Sequence, residues 1–451
     1  VQGREETNTR PKTLLVIVLL GLIVLFVSPL ATSPSPLSLP YSVPEEPDLL
    51  PVLAPVDPFS EPAELVVAIV SDEEGYEVLR RQDEQYRLAH AELTVKWLRV
   101  EPGDADTEEK RLDLANQADI LLIPNEWVRR LAVAGKLSPV DGAFVGEALS
   151  EQFDALISQL DWNGYHWGVP LEFDPYILVW NRNVLEAIKT EEDPLGLPLR
   201  LDQWQSLPQK LRDAGLVSQW LAIDRQEPQA LLAWLGAVTG EREDVLFEAQ
   251  EETWEQSGME AALALLAQEQ EGVAWESPEK DESFWPAFAA GRYAAAIVRE
   301  SEAEGALKEL PEASAAAIKL DFGSWSSEFV WPGGSSFVLS SGSANKDAAL
   351  EWIAGITSED NQWQNYVATG RLPVYRSLYE GGGSDGPDVS VSIAQRFPNQ
   401  TTVSAEPGMA FRFGLLRSLW TGFMEGSVTL DEWKERWERS RGLFAEPESD
   451  D

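Results

Sequence analysis

Three apolar runs near the start of the main body constrain the fold more than anything else in the chain: ELVVAIV (64–70), ELTVKWLRV (92–100) and ADILLIP (118–124). The first and third lack a polar face and read as strands buried on both sides, while the second alternates like a half-buried strand. Between them lie YEVLRRQDEQYRLAH and TEEKRLDLANQ, the first placing Tyr76, Leu79, Tyr86 and Leu88 at helical spacing. Strands that alternate with helices close into an α/β sheet, largely parallel. Ligands of such sheets sit beyond the carboxyl ends of the strands, so the loops at 71–75 and 125–127 become candidate sites.

At 451 residues the chain exceeds one average domain, and two lobes or domains are expected. A formal charge of −41 argues against nucleic acid, whose affinity comes largely from Lys and Arg on phosphates, and favours neutral or cationic ligands. There is no Cys, and His90 and His166 are the only imidazoles. Thiolate metal sites, a His-rich metal centre and a Ser-His-Asp triad are therefore not expected, and no cofactor is implied. A carboxylate-based hydrolase stays open.

Ahead of the body, TLLVIVLLGLIVLFVSPLA (13–31) is uncharged and follows Arg10 and Lys12. Its length suits a membrane-spanning helix, with residues 1–12 inside and the acidic body outside. A cleaved signal peptide is the rival, but Pro34 crowds the cleavage position offered by Ala31 and Ser33, so the anchor is the reading adopted. Residues 32–61 are Pro-rich and read as a semi-rigid stalk, and 446–451 as an acidic tail.

Further on, helices are expected in LDQWQSLPQKLRDAG, GMEAALALLAQEQEG, 408–424 and 429–441, with strands at 294–298 and 337–340. Four stretches in this order resemble the maltose-binding family of bacterial extracellular solute-binding proteins, the capture subunits of ABC importers. They are ADILLIPNEWVRRLAVAGKLSPVD, WNGYHWGVPLEFDPYILVWNRNVLEA, FWPAFAAGRYAAAI and GGSSFVLSSGSANKDAALEWIAGITSEDNQWQNYVATGRLPVY. The resemblance covers most of 62–442 and implies a two-lobed periplasmic-binding-protein-like α/β fold with a ligand cleft between the lobes. It implies crossings of the chain at Glu172 to Pro175, near Ala294 to Ala296 and around Ile356 to Asp360. One lobe then holds 62–173 and 295–357, the other 174–294 and 358–445. The lipobox Cys common in Gram-positive members is missing, which leaves tethering to residues 13–31.

A sugar offers an apolar C–H face and a rim of hydroxyls, so a binding site needs flat rings with carboxylates or amides around them. Candidates at strand ends and crossings are Asp72, Glu73, Asn125, Glu126, Trp127, Glu172, Asp174, Tyr176, Trp285, Trp331, Gly333, Gly334 and Arg371. Trp127 equally suits packing under the helix it begins. Glu172 and Asp174 lie two apart, so in extended chain they point to one side. Trp331, before Pro332 and Gly333, reads as a ring presented on a loop with close backbone approach. Trp180 reads as core, and Trp162 and Trp167 as cross-strand neighbours.

The expected function is a monomeric, membrane-tethered receptor that closes its lobes on a mono- or oligosaccharide and hands it to ABC permease subunits, without chemistry. The rivals are a ligand-sensing domain reporting to a membrane partner and a glycosidase using Glu172 and Asp174. Glycosidase carboxylates face each other roughly 5–9.5 Å apart across a bond, which neighbours on one strand seldom do.

Overall fold

The run at 64–70 becomes β1 (Ala63–Val70), a strand with both faces covered. Leu65, Val67 and Ile69 enter one apolar cluster with Leu79 of α1 (Glu73–Ala89). Ala68 and Val70 enter another with Leu114 and Ala115 of α2 (Glu108–Gln117). β1 pairs in parallel with β2 (Leu93–Val100) and β3 (Ile120–Pro124). β2 is the sheet edge and is half-exposed, which is why its sequence alternates where those of β1 and β3 do not. Residues 73–75 of the expected loop at 71–75 are instead the first turn of α1, capped by Asp72, whose carboxylate accepts from Gly75 N at 2.8 Å.

This computed structural model describes residues 62–101, 107–144, 149–190, 195–216, 219–248, 258–275, 282–380, 397 and 408–441. Residues 13–31, the stalk, the glycine-rich stretch 381–388 and the acidic tail lie outside it. Among the described residues no helix is long and apolar enough to cross a membrane.

After β3 the chain runs through α3 (Val128–Val133), β4 (Leu137–Ser138) and α4 (Asp154–Leu160) into the hairpin β5 (Asp161–Trp162) and β6 (Tyr165–His166). Asn163 and Gly164 make the turn with φ of 52° and 78°, the positive pair that a two-residue hairpin demands. Trp167 Nε1 donates to Trp162 O at 2.8 Å across this hairpin. β7 (Val169–Glu172) closes the first visit to this sheet, and β8 (Tyr176–Asn181) opens a second one.

The second lobe follows with α5 (Arg182–Ile188), α6 (Leu201–Ala214), β9 (Gln219–Ala222), α7 (Pro228–Thr239), α8 (Met259–Gln268), β10 (Val273–Ala274), α9 (Phe284–Ala289), β11 (Tyr293–Arg299), α10 (Glu300–Glu309) and β12 (Ile318–Asp321). Its sheet runs β10-β9-β11-β8-β12, with β8 antiparallel to both neighbours. Fully buried Trp180, Trp204 and Trp234 fill its core, and Trp180 Nε1 is satisfied by Asp321 Oδ2 at 2.9 Å.

β13 (Ser335–Ser340) then returns to the first sheet, giving the order β2-β1-β3-β13-β4 with β7 also on β13. α11 (Lys346–Ile356) and α12 (Glu359–Thr369) pack on α1, where Gln82 Nε2 donates to Asn361 O at 2.8 Å. α13 (Met409–Met424) and α14 (Leu430–Arg441) join the second lobe through Trp420 and Trp437, both fully buried.

Two expected crossings are therefore corrected. β11 lies wholly within the second sheet, bonded to β8 and β9, so Ala294 to Ala296 is core strand and the return falls at Pro332–Ser335. Residues 356–360 do not cross either, because α12 stays against α1, and the chain turns to the second lobe after Gly370.

Candidate ligand site between the two lobes

Three connecting segments meet at the base of the region between the lobes and bond to one another. Phe173 and Leu372 exchange both backbone hydrogen bonds, N to O 3.0 and 2.9 Å, and Asp174 N donates to Pro332 O at 3.0 Å. Asn125, buried at the end of β3, ties in the third segment. Its N donates to Gly334 O at 3.2 Å, its Nδ2 to Gly333 O at 3.0 Å, and its Oδ1 accepts from Ser336 Oγ at 2.6 Å. Gly333 and Gly334 have φ of 63° and 85°, and a Cβ on Gly334 would collide with Glu172 O and lie 2.8 Å from Phe173 Cα. Close backbone approach is thus real at these glycines, and what approaches is the neighbouring connecting segment.

The charges at this base are paired. Arg371 donates from Nη1 to Glu172 Oε1 at 3.3 Å and from Nη2 to Asp72. The charge of Glu172, with those of Asp72 and Asp174, outweighs burial and holds the Arg371 guanidinium above its ordinary range. Burial pushes the Glu172 and Asp174 carboxyls up, opposed chiefly by Arg371 and Arg299 respectively. The two acids serve different elements. Asp174 accepts from Ser301 N at 3.0 Å and Ser301 Oγ at 2.7 Å, at the first turn of α10, where the helix dipole favours an anion.

Higher up, residues of both lobes converge. Glu126 and Trp127 lie in the 3₁₀ turn Asn125–Trp127, which α13 touches from the other lobe. The Arg111 guanidinium lies over the Trp127 ring, 4.2 Å from its centre, and Arg299 at the end of β11 lies 4.9 Å over Tyr176. Arg299 also approaches Glu227 at 3.9 Å. Burial raises the Glu126 carboxyl, against the charges of Arg111, Arg417 of α13 and Arg299. Arg111, Arg299, Arg417 and Glu227 escaped the sequence reading. The one available signal was a lone Arg ending the otherwise apolar strand YAAAIVR.

Two expected contacts are corrected. Trp331 is core, 2 % exposed, edge-on to Phe247, Phe329 and Phe413 at 5.0–5.4 Å, with Nε1 donating to Glu243 O at 3.1 Å. Trp285 stands on α9, which packs at the end of β8 remote from Tyr176, where Asn181 Nδ2 donates to Phe288 O at 2.6 Å. Six residues of strand set that end of β8 about 17 Å from Tyr176. Glu73 is exposed and paired with Arg99. Among the described residues no group of three or more acids or histidines is placed to hold a metal ion. A cavity of about 310 Å³ beside β10, lined by Gln219, Arg225, Val273, Ala274, Trp275 and Arg292, shares no residue with the crossings.

Known proteins carry the same architecture. The GacH receptor of Streptomyces glaucescens, solved with and without acarbose, is 17 % identical over 84 % of this chain and 98 % of its own, with a TM-score of 0.65. The sugar-binding protein MalE of Xanthomonas citri is 15 % identical over 84 % and 97 %, with a TM-score of 0.64. The galacto-N-biose/lacto-N-biose I-binding protein of a Bifidobacterium longum ABC transporter is 15 % identical over 85 % and 97 %, with a TM-score of 0.62. No curated protein matches the sequence. At such identities the likeness establishes the two-lobed fold. Residues 84–390, more than half of the chain, match the family model for bacterial extracellular solute-binding proteins, and the chain belongs to that family.

Proposed function

We propose that this protein is an extracytoplasmic receptor that takes a carbohydrate between its lobes and delivers it to an ABC importer. The observation that carries the reading is the convergence of Glu126, Trp127 and Arg111 of one lobe with Tyr176, Arg299 and Arg417 of the other, above three mutually bonded connecting segments. Rotation about the short segments at Glu172–Pro175, Pro332–Gly334 and Gly370–Leu372 opens and closes the cleft as a hinge. Asp72, Glu172 and Arg371 steady that hinge, and Glu126, Trp127, Tyr176, Arg299 and Arg417 contact the ligand. Acarbose and lacto-N-biose named for two of the neighbours, and the description of the third as sugar-binding, support carbohydrate as the ligand class. Residues 13–31 anchor the monomer in the membrane with the body outside, and no enzymatic step is involved.

Titration with a panel of sugars, followed by Trp fluorescence and melting temperature, tests the proposal. One sugar should give saturable quenching and a raised melting temperature with no product formed. The reading fails if sugars leave both unchanged while a peptide, a polyamine or a glycerol phosphodiester shifts them.

A further inference from the structure

The cavity of about 310 Å³ beside β10 stands apart from the crossings, and its walls carry one sign of charge. Arg225 and Arg292 line it and no described acid does, in a chain whose 76 acids outnumber its 35 bases more than twofold. Neither cation is consumed by the fold. Arg292 makes no ion pair with a described residue, and its guanidinium rests 5.5 Å from the centre of the Tyr293 ring. The Arg225 guanidinium meets Glu425 at 3.7 Å, but both side chains are substantially exposed, so water screens the pair. The amide of Gln219, also in the wall, bonds to no described residue, and its Oε1 is buried without a partner. Polar groups in such a wall are ordinarily satisfied, so three unsatisfied ones of matching character point to a ligand.

The sheet sets the spacing of the two cations. Tyr293 pairs with Gln219 at the start of β9, so Arg292, one residue earlier, enters at that end. Ala274 pairs with Ala222 at the other end of β9, and Trp275 and Arg225 follow beyond it. Gln219 and Ala222 are separated by roughly 10 Å of strand. Between the ends lie Val273, Ala274 and the Trp275 ring, which Trp420 holds edge-on with centres 5.8 Å apart. We propose that this cavity is a second ligand site, for a small dicarboxylate of four to six carbons. One carboxylate meets Arg292 and the Gln219 amide, the other meets Arg225, and the methylenes lie along Val273 and Trp275. Each guanidinium presents the donor fork that a carboxylate matches, and a cavity of this volume is at the lower end of the range for small-molecule sites. A single carboxylate would leave one cation unmatched. Because β10 is the last strand of its sheet, the ligand enters without any movement of the lobes.

Calorimetric titration of the 451-residue chain at low salt tests this, with succinate, glutarate and adipate, the monoamide and diamide of each, and inorganic phosphate as a compact anion. One dicarboxylate should bind at least about tenfold more tightly than its monoamide, and the monoamide more tightly than the diamide, as charge-assisted hydrogen bonds require. Arg292→Gln should weaken the dicarboxylate at least about tenfold, and Arg225→Gln should bring it level with its monoamide. Glu425→Gln should tighten it by releasing Arg225, with the melting temperatures of the three unliganded variants unchanged. The inference is overturned if no dicarboxylate binds, if a diamide or phosphate binds as tightly, or if R292Q and R225Q leave the affinity as it was. None of these outcomes touches the receptor reading, because the cavity shares no residue with the crossings and the sugar titration is separate.

Discussion

Gly334→Ala tests the claim that the lobes are joined by segments packed too closely for a side chain. The native φ of 85° alone costs a Cβ about 1–2 kcal/mol. The methyl would also meet Glu172 O and lie 2.8 Å from Phe173 Cα, and since both are backbone, the segments must separate. Separation weakens Asn125 N to Gly334 O, Asn125 Nδ2 to Gly333 O and Asp174 N to Pro332 O, at about 1 kcal/mol each. The sum is roughly 4–5 kcal/mol, a large share of the usual stability of a folded domain. Gly135→Ala is the control: its φ is 68°, but no atom lies within 4 Å of the added Cβ, so only the conformational cost applies, about 1–2 kcal/mol. Urea unfolding followed by Trp fluorescence measures both. Equal losses in the two variants would refute the packing argument.

Trp331→Ala should cost about 3–5 kcal/mol in urea unfolding, because the ring lies among Phe247, Phe329 and Phe413; selective loss of ligand affinity in a stable variant would contradict this. Trp285→Ala should leave ligand affinity within about twofold by fluorescence titration, since its ring packs on Phe284 and Phe288 away from the crossings. Arg371→Met should lower stability by about 2–4 kcal/mol at neutral pH by stranding the Glu172 charge, and Arg371→Lys should recover part of it. Glu300 is fully buried with no hydrogen-bond partner for either carboxylate oxygen, and burial followed by the charges of Glu304 and Asp174 raises it well above the ordinary range. Its folded value exceeds its unfolded one, so stability is greatest below the ordinary carboxylate range and falls as pH rises toward the folded value, by up to about 1.4 kcal/mol per pH unit. Glu300→Gln should reduce that slope in urea midpoints measured from pH 4.5 to 8.5, and an unchanged slope would contradict the assignment.

Most elements were legible because burial leaves a pattern: β1 is apolar on both faces since α1 and α2 cover it, and β2 alternates since it is an edge. The departure of the chain at Glu172 to Pro175 was implied by the resemblance, and it falls between the two apolar strands β7 and β8. The return was misplaced: the resemblance put a crossing near Ala294 to Ala296 although those residues read as strand, and the partners β8 and β9 lie too far away in sequence to show which sheet that strand joins. Trp331 and Gly333 show a related limit. A pair of glycines announces that something comes close, but sequence does not say whether it is ligand or chain. Arg299 and Arg417 escaped because a single charged residue at a strand end or on a helix forms no sequence pattern that sets it apart from a solvated surface charge.

The late arrival of β13 has a consequence for how the protein is made. β4 and β7 both pair with β13, yet roughly 160 residues of the second lobe are synthesised between β7 and β13. At about 5–20 residues per second this is roughly 10–30 s in which β3 offers a bare edge to any passing strand. Release truncated before residue 335 should yield an aggregating fragment with no folded first lobe. A chain bound for the far side of a membrane is therefore best kept unfolded until its last third has been delivered.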